Sequence, residues 1–153
     1  MRKISIFFAT AILFFGCDDR YIRCGEDSNR GIIVKDVSFG NSCLSYLVDQ
    51  YFVIDNQSEL DSLYLCDGCA ESDPYPSIDF SEYTLLGVYA SGGGCDIQFI
   101  RRVEERPDAG KYTYTIEVRE CGMCDMLRYS MNWVLVPKLP DGWMVEFSIE
   151  HTK

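Results

Sequence analysis

Tyr112-Thr113-Tyr114-Thr115-Ile116-Glu117-Val118-Arg119 decides the fold class. Its ring and aliphatic residues (Tyr112, Tyr114, Ile116, Val118) take every second position and polar residues fill the gaps. That is the period of a strand with one buried face. Upstream, Ile97-Gln98-Phe99-Ile100-Arg101-Arg102-Val103-Glu104 is a second run of strand length. Between them Pro107-Asp108-Ala109-Gly110 has the chemistry of a turn, so the two runs read as a β-hairpin.

Outward from this hairpin the β signals continue. Tyr83-Thr84-Leu85-Leu86-Gly87-Val88-Tyr89-Ala90 reads as a buried strand, and Gly92-Gly93-Gly94 as its bend or bulge. Trp133-Val134-Leu135-Val136 and Trp143 to Ile149 are further strands, joined through 137–142. Upstream lie Ile32 to Val37, read as a first strand, and the short β-rich run Tyr51-Phe52-Val53-Ile54. Leucines at 60, 63 and 65 predict a two-turn helix over 58–65, capped by Asn56 or Ser58. Gly68, Pro74 and Pro76 mark 66–77 as a loop. The expected fold is mainly β, α+β at the margin: an antiparallel sandwich or barrel-like roll with one or two short helices.

The N-terminus is of a different kind. Arg2 and Lys3 precede an apolar run from Ile4 to Phe15, and Gly16 stands before Cys17. This order of charge, apolar core and small residue is that of an export signal, and the run falls short of the ~20 residues of a membrane span. Cys17 directly after the small residue is the expected site of lipidation (diacylglyceryl and palmitate), although Leu13 sits one place earlier than the usual lipobox leucine. The organisation read from the sequence is therefore signal peptide 1–16, lipid-anchored tether 17–31 and a single β domain 32–153. The formal charge of −10 becomes −12 once Arg2 and Lys3 leave. Such an acidic chain repels phosphate backbones, which argues against nucleic-acid binding. Asp18 and Asp19 resemble the acidic tag of surface-exposed lipoproteins, so an outer-membrane location, periplasmic or surface-exposed, is expected.

Besides Cys17 the chain holds Cys24, Cys43, Cys66, Cys69, Cys95, Cys121 and Cys124. In an exported protein these read first as disulfides. Centring the hairpin turn at Asp108 makes opposed residue numbers sum to 216 and sets Cys95 opposite Cys121. Such pairs approach bridging distance. A shift of one or two residues in the turn favours Cys124 instead. Cys24, in the tether, is then the candidate for the odd thiol. Cys66-Asp67-Gly68-Cys69 and Cys121-Gly122-Met123-Cys124 are CxxC motifs. A four-thiolate zinc site needs a closer spacing of the two pairs and free thiolates that an oxidising compartment opposes. Thiol–disulfide exchange needs a βαβ context, which hairpins do not supply, even though 125–131 could begin a helix after Cys121. Cys95, Cys121, Cys124, Cys66 and Cys69 are read as structural staples.

The order of signals resembles the PrcB-type domain, the C-terminal domain of the B subunit of a spirochaetal surface protease complex, found in many bacterial lipoproteins. The residues that carry the resemblance are Phe52-Val53-Ile54 before Ser58-Glu59-Leu60, Ile78-Asp79-Phe80-Ser81 before Leu85-Leu86-Gly87-Val88, Gly92-Gly93-Gly94, Trp133 to Lys138, and Val145-Glu146-Phe147. Cys95 and the Cys121–Cys124 motif depart from the pattern. The resemblance, over about residues 51–149, implies a small β domain that supports or binds other surface proteins. It offers no catalytic residue to carry over.

Remaining candidates carry little chemistry. His151 is the single histidine and lies near the C-terminus, leaving a Ser/His/Asp or Cys/His centre unsupported. The acidic stretch Glu71 to Asp79 lacks the spacing of a calcium loop and reads as a solvated face. The expected function is a non-catalytic binding or assembly module with no cofactor, held to the membrane by lipid and meeting another cell-surface protein. A thiol–disulfide oxidoreductase or a protease inhibitor is the alternative.

Overall fold

The alternating run lies within strand β6 (Lys111–Cys121), where Tyr112, Tyr114, Ile116 and Val118 are all buried. Its antiparallel partner is β5 (Asp96–Arg106), and the turn between them is one 3-10 turn at Pro107–Ala109 closed by Gly110. The computed structural model describes residues 23–39, 51–64 and 77–153. The remaining elements are β1 (Ser28–Gly31), β2 (Lys35–Val37), β3 (Tyr51–Ile54), helix α1 (Gln57–Tyr64), β4 (Tyr83–Gly93), β7 (Leu127–Pro137) and β8 (Met144–Thr152).

Among the described residues the strands form two open four-stranded sheets, ordered β1-β5-β6-β8 and β2-β7-β4-β3. They pack face to face as a sandwich; no barrel closes. β4 and β7 pair from Tyr83↔Pro137 to Gly93↔Leu127, and β5 and β6 from Asp96↔Cys121 to Arg106↔Lys111. The sandwich is thus one long hairpin ribbon folded in half. Gly94 and Cys95 carry one strand of the ribbon round the corner, and residues 122–126 carry the other.

The second sheet is antiparallel throughout, whereas the first has a parallel ladder at each edge, β1 with β5 and β6 with β8. The cause is the crossing between sheets. β8 follows β7, but residues 138–143 bring the chain over to the other sheet, so no hairpin sets its direction. The strand expected at 32–37 is divided in the same way. The Ile32 amide donates to Val103 O (2.9 Å) in the first sheet and the Val34 amide to Leu135 O (2.8 Å) in the second. Residues 28–31, read from their polarity as tether, are strand β1.

Two clusters hold the layers. Between the sheets lie Leu86, Val88, Ile97, Phe99, Val103, Tyr114, Ile116, Val118, Val134 and Val136. On the far face of the second sheet Leu85, Trp133 and Leu135 pack with Ile54 and with Leu60 of α1. Each such side chain contributes roughly 1.5–3 kcal/mol on burial. The helix starts where Asn56 Oδ1 accepts the Glu59 amide (3.0 Å) while Glu59 Oε2 accepts the Asp55 amide (3.1 Å), so Asn56 is the cap. Trp133 stands opposite Gly87, and its ring occupies the space that a Cβ there would fill.

One polar network runs through the core. Arg101 Nε donates to Asn132 Oδ1 (3.0 Å), whose Nδ2 donates to the carbonyls of Ser130 (3.1 Å) and Val88 (3.3 Å). The Tyr114 hydroxyl donates to Asn132 O (3.0 Å), and burial pushes the Tyr114 phenol far above its usual range. The Arg101 guanidinium then reaches Asp27 (3.3 Å) ahead of β1, fastening the N-terminal segment to the sandwich.

Candidate interaction surface

The corner of the folded ribbon gathers Cys95, Cys121 and Cys124, three of the cysteines that the sequence singles out. Asp96 stands opposite Cys121, so opposed numbers in the β5–β6 ladder sum to 217, not 216. The turn takes four residues between Arg106 and Lys111, one more than a turn centred on Asp108 allows. A slip of one residue sends a side chain to the other face of the sheet. Cys95 and Cys121 therefore do not bond to each other. Cys95 bonds to Cys124 (Cα–Cα 4.7 Å), the pairing that the shifted turn favours, and Cys121 bonds to Cys24 (Cα–Cα 5.6 Å). Cys24 is thus bridged and is not the odd thiol. Residues 1–16, read as a signal peptide, Cys17, Cys43, Cys66, Cys69 and residues 71–76 of the acidic stretch lie outside the described residues. Asp79 is described: its carboxylate accepts the Ser81 hydroxyl (2.5 Å) and amide (3.0 Å).

Backbone and side chains lock the corner further. The Cys95 amide donates to Cys121 O (2.8 Å) and the Gly94 amide to Met126 O (3.0 Å). Gly122 has φ +75°, and a Cβ there would press on Cys95 Sγ at 2.7 Å, so only glycine lets the second disulfide close beneath it. Asp96 Oδ2 accepts the Cys24 amide at 2.8 Å. Glu120 Oε1 accepts the Gly93 amide at 2.9 Å and lies 3.4 Å from His151 Nδ1. The Gly93 hydrogen bond, with His151 adding to it, holds the Glu120 carboxyl below the usual carboxylate range.

On this rigid base sits an apolar group in water. Met123 is fully exposed, Leu127 66 %, Met126 62 % and Tyr129 58 %, with Tyr129 stacked on Tyr89 at 6.0 Å. Sequence reading missed this surface. It treated 121–131 through its cysteines and as a possible helix start, whereas Leu127 and Tyr129 begin β7. The available signal was three apolar side chains within and just after a CxxC, interrupted by Cys124 and Asp125 alone.

Cys121 and Cys124 are each bonded to another cysteine, so their CxxC holds no disulfide of its own. Among the described residues no group of three His, Cys, Asp or Glu side chains is placed to hold a metal ion. No described helix is long and apolar enough to cross a membrane. Comparison of the chain with protein-family models, with curated proteins and with solved structures gives no match.

Proposed function

We propose that the chain is a lipid-anchored extracytoplasmic binding or assembly module of a bacterial outer membrane, without catalytic activity, and that it meets another protein at the cell surface. The observation that carries this reading is the convergence of two disulfides on one corner, one of them tying down Cys24, seven residues after Cys17. Stable disulfides belong to oxidising compartments. The Gly16-Cys17 junction supplies the export signal and the lipid site. The resemblance to the PrcB-type domain points to a protein partner rather than a substrate. The pairing of Cys121 and Cys124 with other cysteines weighs against the oxidoreductase alternative, because a redox CxxC cycles between a dithiol and its own internal disulfide.

Fatty-acid labelling of the native host tests the anchor. The mature protein takes up label, and Cys17→Ser abolishes both label and membrane retention; unchanged labelling in that variant overturns the reading. A photo-crosslinker placed at exposed positions of the Pro107–Ala109 turn, at the end of the sandwich far from Cys24, tests the partner. It should yield one discrete adduct on intact cells, and no adduct from any such position overturns the protein-partner half.

A further inference from the structure

We infer that the exposed apolar corner seats on the lipid surface itself. This rests on the lipid-anchor reading and names what the corner touches. Cys24, through its bond to Cys121, fixes the N-terminal segment to the strand end from which residues 122–126 leave. From Cys17 to Cys24 is seven residues, a reach of at most about 25 Å even when fully extended. An 11-residue strand of the sandwich is longer, about 36 Å at ~3.3 Å per residue. An acylated Cys17 therefore holds the Cys24–Cys121 corner, rather than the Pro107–Ala109 end, beside the bilayer.

The side chains of the corner suit that neighbour. Met123 and Met126 are unbranched and adapt to a fluid surface, and Leu127 adds apolar bulk. Tyr129 has the apolar ring and polar tip that favour the headgroup level. The diacylglyceryl group brings two chains and anchors the protein durably by itself, so a second contact serves to orient the domain on the surface. The corner supplies such a contact on a base that two disulfides keep from deforming. Asp125 lies amid the apolar group, so zwitterionic lipid is the fitting surface. The opposite end, with the Pro107–Ala109 turn and Trp143 packed at Gly110, then points away from the membrane toward a protein partner.

Full-length acylated protein in phosphatidylcholine vesicles with brominated chains provides the test. Met123→Trp places an indole reporter on a fully exposed residue, and Leu127→Trp is a second reporter. The native Trp133, buried in the second sheet, and Trp143, at the far end, give the baseline. A side chain seated ~5–10 Å into the interface contacts the brominated chains, so the indole introduced by Met123→Trp loses about half of its emission while the native protein loses almost none. Vesicle-bound, acylated protein in which neither introduced indole is quenched overturns the seat and leaves the anchor standing. Unquenched but blue-shifted reporters, shielded by a co-purified protein, overturn it in favour of a protein partner. Protein lacking the acyl mass and failing to sediment with vesicles removes the anchor and the seat together.

Discussion

The Glu120 carboxylate accepts the Gly93 amide at 2.9 Å, and because Glu120 belongs to β6 and Gly93 to β4 this bond ties the two sheets together at their shared corner. With the carboxyl held below its ordinary range, folding favours the ionised form. The resulting stability is present above the unfolded pKa, about 4.3 for glutamate. It is lost as the pH falls through the lower folded value. Glu120→Gln should therefore lower Tm at neutral pH and flatten the acid limb of the Tm–pH curve, read by thermal unfolding. An acid limb parallel to that of the native protein would show that the ionised carboxyl contributes nothing.

Both disulfides should survive non-reducing peptide mapping as Cys24–Cys121 and Cys95–Cys124. Removing them should destabilise unequally, because the loops they close span 97 and 29 residues. The chain-entropy relation gives about 4–5 kcal/mol for the longer and about 3–4 kcal/mol for the shorter. Urea unfolding of Cys24→Ser/Cys121→Ser and Cys95→Ser/Cys124→Ser checks the order.

Gly87→Ala should destabilise by about 1–3 kcal/mol, since the added methyl meets the Trp133 ring. The near-UV circular dichroism of Trp133 should change with it. Trp133→Leu in the same chain should recover part of the loss, and strictly additive losses would exclude the contact as the cause.

Asn132→Ala leaves Arg101 Nε without its acceptor inside the core, while Asp27 still faces the guanidinium, and should cost about 1–3 kcal/mol. Replacing both, Arg101→Met with Asn132→Leu, should cost less than the sum of the single changes. A double-mutant cycle with zero coupling would show that the two act independently.

The clean period-two alternation of 112–119 made β6 and its hairpin legible, as did the leucine spacing and Asn56 for α1. Register was legible only to within one residue, because the composition Pro107-Asp108-Ala109-Gly110 fits turns of more than one length, and that residue decides which cysteines meet. Ser28-Asn29-Arg30-Gly31 has no strand propensity; backbone pairing with β5 and the bond between Asp27 and Arg101 make it a strand, which is tertiary context overriding local preference. The cysteines of the corner stood out in the sequence, but its exposed apolar group did not. Met123 and Leu127 look like core residues until the fold turns them outward.

The two parallel edge ladders also set an order of events along the folding pathway. The ribbon from Tyr83 to Pro137 can zip progressively from its turn, each new pair lying next to one already made. Strand β1 must instead find β5 across 72 residues, from Ser28 to Ile100, and β8 must return to β6 across 33, from Lys111 to Met144. Loop closure over such spans precedes any gain from contact, so these strands dock late. Until they do, β5 and β6 have bare flanks open to pairing with another chain. Oxidation of Cys24 onto Cys121 is thus a late step that traps the docked state.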